Sequence, residues 1–91
     1  MIKGKTKSGF EFEINEEVLN DMRIVDALAD MQSGDDSLVM VAVTELLNLV
    51  LGRKQKQLLY KHLEVENGRV PIEKVSDELV EIFNNLKEGK N

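Results

Sequence analysis

Between Leu38 and Leu51 the chain reads LVMVAVTELLNLVL, eleven apolar residues in fourteen, within a sequence of 91 residues of which 32% are charged. A run of this length falls short of the ~20 apolar residues that a membrane span requires, so it must be buried in the protein's own core or against a partner. On a helix at about 100° per residue, Thr44, Glu45 and Asn48 fall on one narrow strip and the rest of the circumference is apolar. Such a helix needs more than one neighbour. In so small a domain, the neighbours need not all come from the same chain. A chain of this size hides roughly 60 to 65% of its unfolded surface, which makes one independent but marginal core that oligomerisation would support.

Composition narrows the function classes. Asp and Glu number 17 against 12 Lys and Arg, a net charge of -5. This balance disfavours nonspecific binding to nucleic acid, which counterion release from a basic surface drives. There is no cysteine, so disulfides and thiolate metal sites are excluded and the chain suits a reducing cytoplasm. Ile2, Lys3, Gly4, Lys5, Thr6 and Lys7 contain no apolar stretch of an export signal, so the protein is expected to stay where it is made.

Ile2 to Ile14 reads as a β-hairpin whose register the charges choose. Pairing across a three-residue loop of Lys7, Ser8 and Gly9 sets Thr6 opposite Phe10, Gly4 opposite Phe12 and Ile2 opposite Ile14 on one face. The other face then pairs Lys5 with Glu11 and Lys3 with Glu13. A two-residue loop would set Lys7 against Phe10 and Lys5 against Phe12, mixing charge into the apolar face. Gly9 stands where the longer loop needs a left-handed residue. A lone two-stranded hairpin is marginal in water, so Phe10, Phe12 and Ile14 must lie on the helices or against another subunit.

After the hairpin, Asn15 and Asn20 are candidate helix N-caps, with Glu16, Glu17 and Asp21 in first-turn positions. The pattern predicts a short turn and then a helix from Asp21 to about Gln32, with Met22, Val25, Leu28 and Ala29 as its apolar stripe and Ser33-Gly34 as its end. A second helix starts after Asp36 or Ser37 and stops at Gly52. A third runs from Lys54 to Leu63 with Leu58, Leu59, Leu63 and Tyr60 inward. Asn67-Gly68 turns the chain, and Pro71 opens a last helix to about Lys87 with Ile72, Val75, Leu79, Ile82, Phe83 and Leu86 as its stripe. The expected fold is a single α+β domain over 1–91, mostly α. An N-terminal β-hairpin (2–14) precedes about four helices packed as a small bundle (15–91).

Few residues could carry chemistry. Gly34-Asp35-Asp36-Ser37-Leu38 resembles the Asp-Ser-Leu sequence at which acyl carrier proteins receive phosphopantetheine on the serine. The alternative is that Asp36 or Ser37 caps the second helix, a role worth about 1 kcal/mol. Carrier proteins follow that serine with acidic docking residues, whereas Val39, Met40, Val41, Ala42 and Val43 follow here. His62 is the one histidine, with no nucleophile or ligand near it in sequence. Asp35-Asp36 lacks the alternating ligands and closing Glu of a calcium loop. Glu73, Asp77, Glu78 and Glu81 read as a solvated acidic face. Arg53, Lys54, Lys56 and Lys61 beside Tyr60 offer no stacking platform for nucleic acid. No enzyme, metal or cofactor is expected.

Several segments together resemble one family: Lys7-Ser8-Gly9-Phe10-Glu11-Phe12-Glu13-Ile14, Val25-Asp26-Ala27-Leu28-Ala29, Leu51-Gly52 leading to Leu59-Tyr60-Lys61-His62-Leu63, and Asn67-Gly68-Arg69-Val70-Pro71. In that order they look like the short form of the tail assembly chaperones of long-tailed bacteriophages and prophages of Gram-positive bacteria. The resemblance implies a non-enzymatic protein of the host cytoplasm. It would coat the tape measure protein during assembly, help recruit tail tube protein, and be absent from the mature virion. It also implies a possible longer product by frameshift, with which the codons of Lys90-Asn91 are compatible, and a homo-oligomer.

On the second helix, Val39, Val43, Leu46 and Val50 lie opposite the polar strip and are expected in the core. Met40, Leu47 and Leu51 form a flank beside the strip. Either this flank, with Phe10 and Phe12 of the hairpin nearby, docks a tape measure helix or a second copy, or the third and fourth helices cover it.

Overall fold

In the computed structural model, which describes residues 1–87, strands β1 (Ile2–Lys5) and β2 (Glu11–Ile14) pair antiparallel in the expected register. Ile2 faces Ile14, Lys3 faces Glu13, Gly4 faces Phe12 and Lys5 faces Glu11. Thr6 N–H donates to Phe10 O and Gly9 N–H to Thr6 O, both at 2.9 Å, and Gly9 turns the loop at φ 98°. The register explains Gly4. A Cβ there would lie 2.5 Å from Phe12 Cζ, so the ring occupies the space a side chain would need. The Lys90-Asn91 pair lies outside the described residues.

A 3-10 turn (Glu16–Leu19) capped by Asn15 leads into helix α1 (Met22–Met31). Three more helices follow: α2 (Asp36–Val50), α3 (Gly52–Leu63) and α4 (Ile72–Lys87). The fold is therefore α+β and mostly helical, with the hairpin at its N-terminal end. Gly52, at φ 77°, breaks α2 from α3, and α3 starts two residues earlier than the sequence pattern places it. Asn67 and Gly68 both take left-handed backbone, φ 70° and 73°, and reverse the chain between α3 and α4.

Asn15 caps as expected, but the caps of α1 and α2 lie one or two residues from where the sequence puts them. Asn20 is not the cap of α1: it ends the 3-10 turn, its N–H on Glu17 O at 3.0 Å, and α1 begins two residues later at Met22. Asp21 caps α1 instead, accepting from Arg23 N–H at 2.9 Å. The guanidinium of Arg23, hydrogen-bonded to that carboxylate, holds Asp21 below the usual carboxylate range, and Asp21 and Glu45 raise Arg23 in turn. Neither Asp36 nor Ser37 caps α2. Asp35 does, accepting from Ser37 N–H at 2.9 Å and Leu38 N–H at 3.3 Å.

Helices α1 and α2 form the most extensively packed helix pair, and α4 rests against β1, α2 and α3. The centre is built by Ile14, Leu46, Leu47, Leu59, Leu79 and Ile82, all less than 2% exposed. Thr44, Glu45 and Asn48 are exposed, as the strip on α2 requires. On α1 the buried residues are Ile24 and Ala27, not the expected stripe: Met22, Val25 and Ala29 face outward, and Leu28 is half-buried. Leu58 and Ile72, expected inside, are also exposed. Their helices turn Leu59 with Leu63, and Val75 with Leu79 and Ile82, toward the core.

Long-range polar contacts close the hairpin onto the helices. Gln55 Oε1 accepts from Glu13 N–H at 2.8 Å while its Nε2 donates to Glu13 O at 2.7 Å. The carboxamide thus pairs with the edge of β2 as a neighbouring peptide group would, which blunts that edge. Lys7 N–H donates to Glu81 Oε2 at 2.6 Å. Glu78, expected on a solvated face, is buried instead, and its Oε1 has no hydrogen-bond partner among the described residues.

Candidate docking surface

Met40 is the one residue of the proposed flank that stays on the surface, half exposed. Leu47 and Leu51 are buried, as are Phe10 and Phe12. The hairpin's apolar face is turned onto the helices and Leu51 packs in the core, so Phe10 and Leu51 line no groove, while Phe12 only backs the cleft between the hairpin and α3. Leu47 differs from these three. It lies in the floor of an open groove of about 290 Å³, with Met40, Val43 and Thr44 of α2 on one side. The opposite wall is Tyr60 of α3, Val70 of the connecting segment, and Ile72 and Val75 at the start of α4.

This groove is apolar at floor and rim. Met40 and Ile72 are 50% and 55% exposed, a placement that leaves two large side chains in water. Thr44, the one polar wall residue besides Tyr60, turns its hydroxyl to Met40 O at 3.3 Å and so contributes its methyl rather than a free donor. A second groove, about 320 Å³, opens further along α4, between Leu28 and Met31 of α1 and Leu79, Val80 and Phe83 of α4. Sequence periodicity misplaces Ile72 because it continues the stripe that α4 needs for its core, and it leaves Val80 outside that stripe without marking it as a groove wall. The larger cleft, about 830 Å³ between hairpin and α3, mixes the charges of Lys3, Lys5, Glu11, Glu13 and Lys54 with the apolar Met1, Phe12 and Leu58. Of those charges Lys3 and Glu13 pair at 3.8 Å.

The structure brings Ser8 to His62, a pairing 54 residues apart in sequence. His62 Nε2 lies 3.1 Å from both Ser8 Oγ and Ser8 O. A carbonyl oxygen only accepts, so Nε2 donates to it and cannot serve as a base for the hydroxyl. Ser8 Oγ is also 3.1 Å from Thr6 Oγ1, and the His62 ring sits 5.7 Å from that of Phe10. The contact therefore ties the hairpin loop to the end of α3.

Ser37 is exposed in the first turn of α2, with the capping role held by Asp35. Arg53, Lys54 and Lys61 are exposed along α3, while Lys56 is partly buried and donates to Asn48 Oδ1 at 2.7 Å. Among the described residues no three His, Cys, Asp or Glu side chains cluster as metal ligands, and no helix is long and apolar enough to cross a membrane. Comparison of the chain with family models, characterised proteins and solved structures returns no match.

Proposed function

We propose that this protein is a non-enzymatic tail assembly chaperone of a long-tailed phage or prophage. It acts in the host cytoplasm, holding apolar helical segments of the tape measure protein in solution and helping to recruit tail tube subunits. The observation that supports this reading is the open groove floored by Leu47 and rimmed by Met40 and Ile72. Exposed methionine and aliphatic side chains around a concave apolar site suit a client of varied sequence, because they repack around different side chains. The acidic surface keeps such a protein soluble while its groove is empty.

Coexpression with the tape measure protein of the same phage tests the reading. Wild type is expected to keep that protein soluble and to copurify with it, and the double variant Met40→Asp/Ile72→Asp to do neither while retaining its helical circular dichroism. A tape measure protein that stays insoluble, or is equally soluble without this chain, contradicts the proposal.

A second reading draws support from Ser37, whose exposure at a helix start leaves the hydroxyl accessible. On that reading the chain is an acyl-carrier-like domain. Intact mass after coexpression with a phosphopantetheinyl transferase decides it: the carrier reading requires the prosthetic-group increment on Ser37, and the chaperone reading an unmodified chain.

A further inference from the structure

The two apolar grooves lie along successive stretches of one helix. Ile72 and Val75 of α4 wall the first, and Leu79, Val80 and Phe83 wall the second. From Ile72 to Asn84 the helix advances about 18 Å, roughly three turns. On α1, the i, i+3 series Met22, Val25, Leu28, Met31 winds from the exposed surface into the second groove, so that apolar area continues past its rim. Val80 in the lining of that groove, and Val25 three residues before Leu28 on α1, are both half exposed.

Among the described residues neither groove has a Lys or Arg in its lining. Charge beside the first groove is mixed, with exposed Arg69 next to Val70 and Lys74 next to Val75, and beside the second it is acidic. Glu73 and Asp77 are exposed and stand within about 60° of Val80 on the helical wheel of α4. The walls are almost wholly helix side chains, whose backbone groups are satisfied within their own helices. They present no unpaired row of N–H and C=O groups for an extended strand to join.

We propose that the α4 trough takes one amphipathic α-helix of about three turns, whose apolar stripe fills both grooves and whose flanks carry Lys or Arg facing Glu73 and Asp77. The inference rests on the chaperone reading and describes the client by its chemistry. A segment this short is marginal as a free helix, so it orders as it docks. Acidic rims attract the basic flanks and reject an acidic helix with the same stripe, which gives selection among apolar segments rather than indiscriminate capture.

Two labelled peptides of about 14 residues with one Leu/Ile stripe at helical spacing, one with Lys flanks and one with Glu flanks, test this against the full chain. Fluorescence anisotropy is expected to show the Lys peptide saturating and the Glu peptide at least about tenfold weaker, with helix gained on binding and a preference that salt diminishes. Glu73→Lys/Asp77→Lys should reverse the preference. Glu16→Lys/Glu17→Lys, the same change of net charge at exposed sites in neither groove's lining, should leave it unchanged. Val80→Asp should abolish binding with the protein's circular dichroism intact. Equal affinity for both peptides, binding of neither, or a preference moved equally by both charge reversals overturns the inference. Self-association lost in Val80→Asp without peptide binding assigns the trough to a second copy and also overturns it. Copurification with the tape measure protein tests the chaperone reading independently of either failure.

Discussion

The hairpin and the α4 flank treat apolar side chains in opposite ways. Phe10, Phe12 and Ile14 are sealed beneath the helices, whereas Met40, Ile72 and Val80 stand half in water around open grooves. The reason lies in the backbone. Two short strands satisfy only part of their hydrogen bonding and are unstable until their apolar face is covered. A helix closes its own hydrogen bonds and can leave part of an apolar face uncovered at little cost to its integrity. The hairpin side is therefore where stability is held, and the α4 flank is free to serve a partner.

The largest test of this contrast is Phe12→Ala. Removing a buried ring should lower stability by about 3 to 5 kcal/mol, measured by urea unfolding, and in a domain this small the variant is near complete unfolding. Gly4→Ala comes next. The added methyl meets Phe12 Cζ and should cost about 1 to 3 kcal/mol as overpacking, with the loss reversed by pairing it with the smaller, ring-free Phe12→Leu. Glu78→Met should act in the other direction. It removes a buried carboxylate that has an unpartnered oxygen and should raise stability by about 1 kcal/mol, a gain of several degrees in Tm. Val80→Ser is expected to change stability by less than about 0.5 kcal/mol; a loss as large as that of Phe12→Ala would break the contrast.

The smallest effect concerns acid. Arg23 holds the Asp21 carboxyl below its ordinary value of 3.8 in the folded protein. A depressed folded pKa means stability that is present above the unfolded carboxylate range and lost as pH falls through the folded value. Between pH 5 and 2, wild type should therefore lose slightly more stability than Asp21→Asn in acid titrations followed by circular dichroism. Arg23 is exposed and Asp21 partly so, and 1 M salt should shrink the difference.

What the sequence makes legible follows the same division. The hairpin register is readable because only one pairing sets Lys3 and Lys5 against Glu13 and Glu11 while keeping Phe10 and Phe12 on one face. The core of α2 is readable in part: Thr44, Glu45 and Asn48 mark the wet strip and Val43, Leu46 and Val50 are buried opposite it, but Val39 is half-buried and Leu47 joins the core. Helix α1 is not. Met22, Val25 and Ala29 repeat at the same spacing as Ile24, Ala27 and Met31, so periodicity offers two equivalent stripes and only the packing against α2 chooses between them. Leu51 reads as part of a surface flank because the sequence does not say how sharply Gly52 returns the chain over it. The contacts of Ser8 with His62, Lys7 with Glu81 and Glu13 with Gln55 span 54, 74 and 42 residues. No local pattern encodes them.

The central claim is that this domain keeps the grooves along α4 open for a client while its hairpin seals the interior. Amide hydrogen exchange of the chain alone and with the proposed client, a tape measure protein, tests it most directly. Added protection is expected in residues 40–47 and 72–84, with strands β1 and β2 equally protected in both states. Protection confined to the hairpin, or none at all in a complex that demonstrably forms, would contradict it.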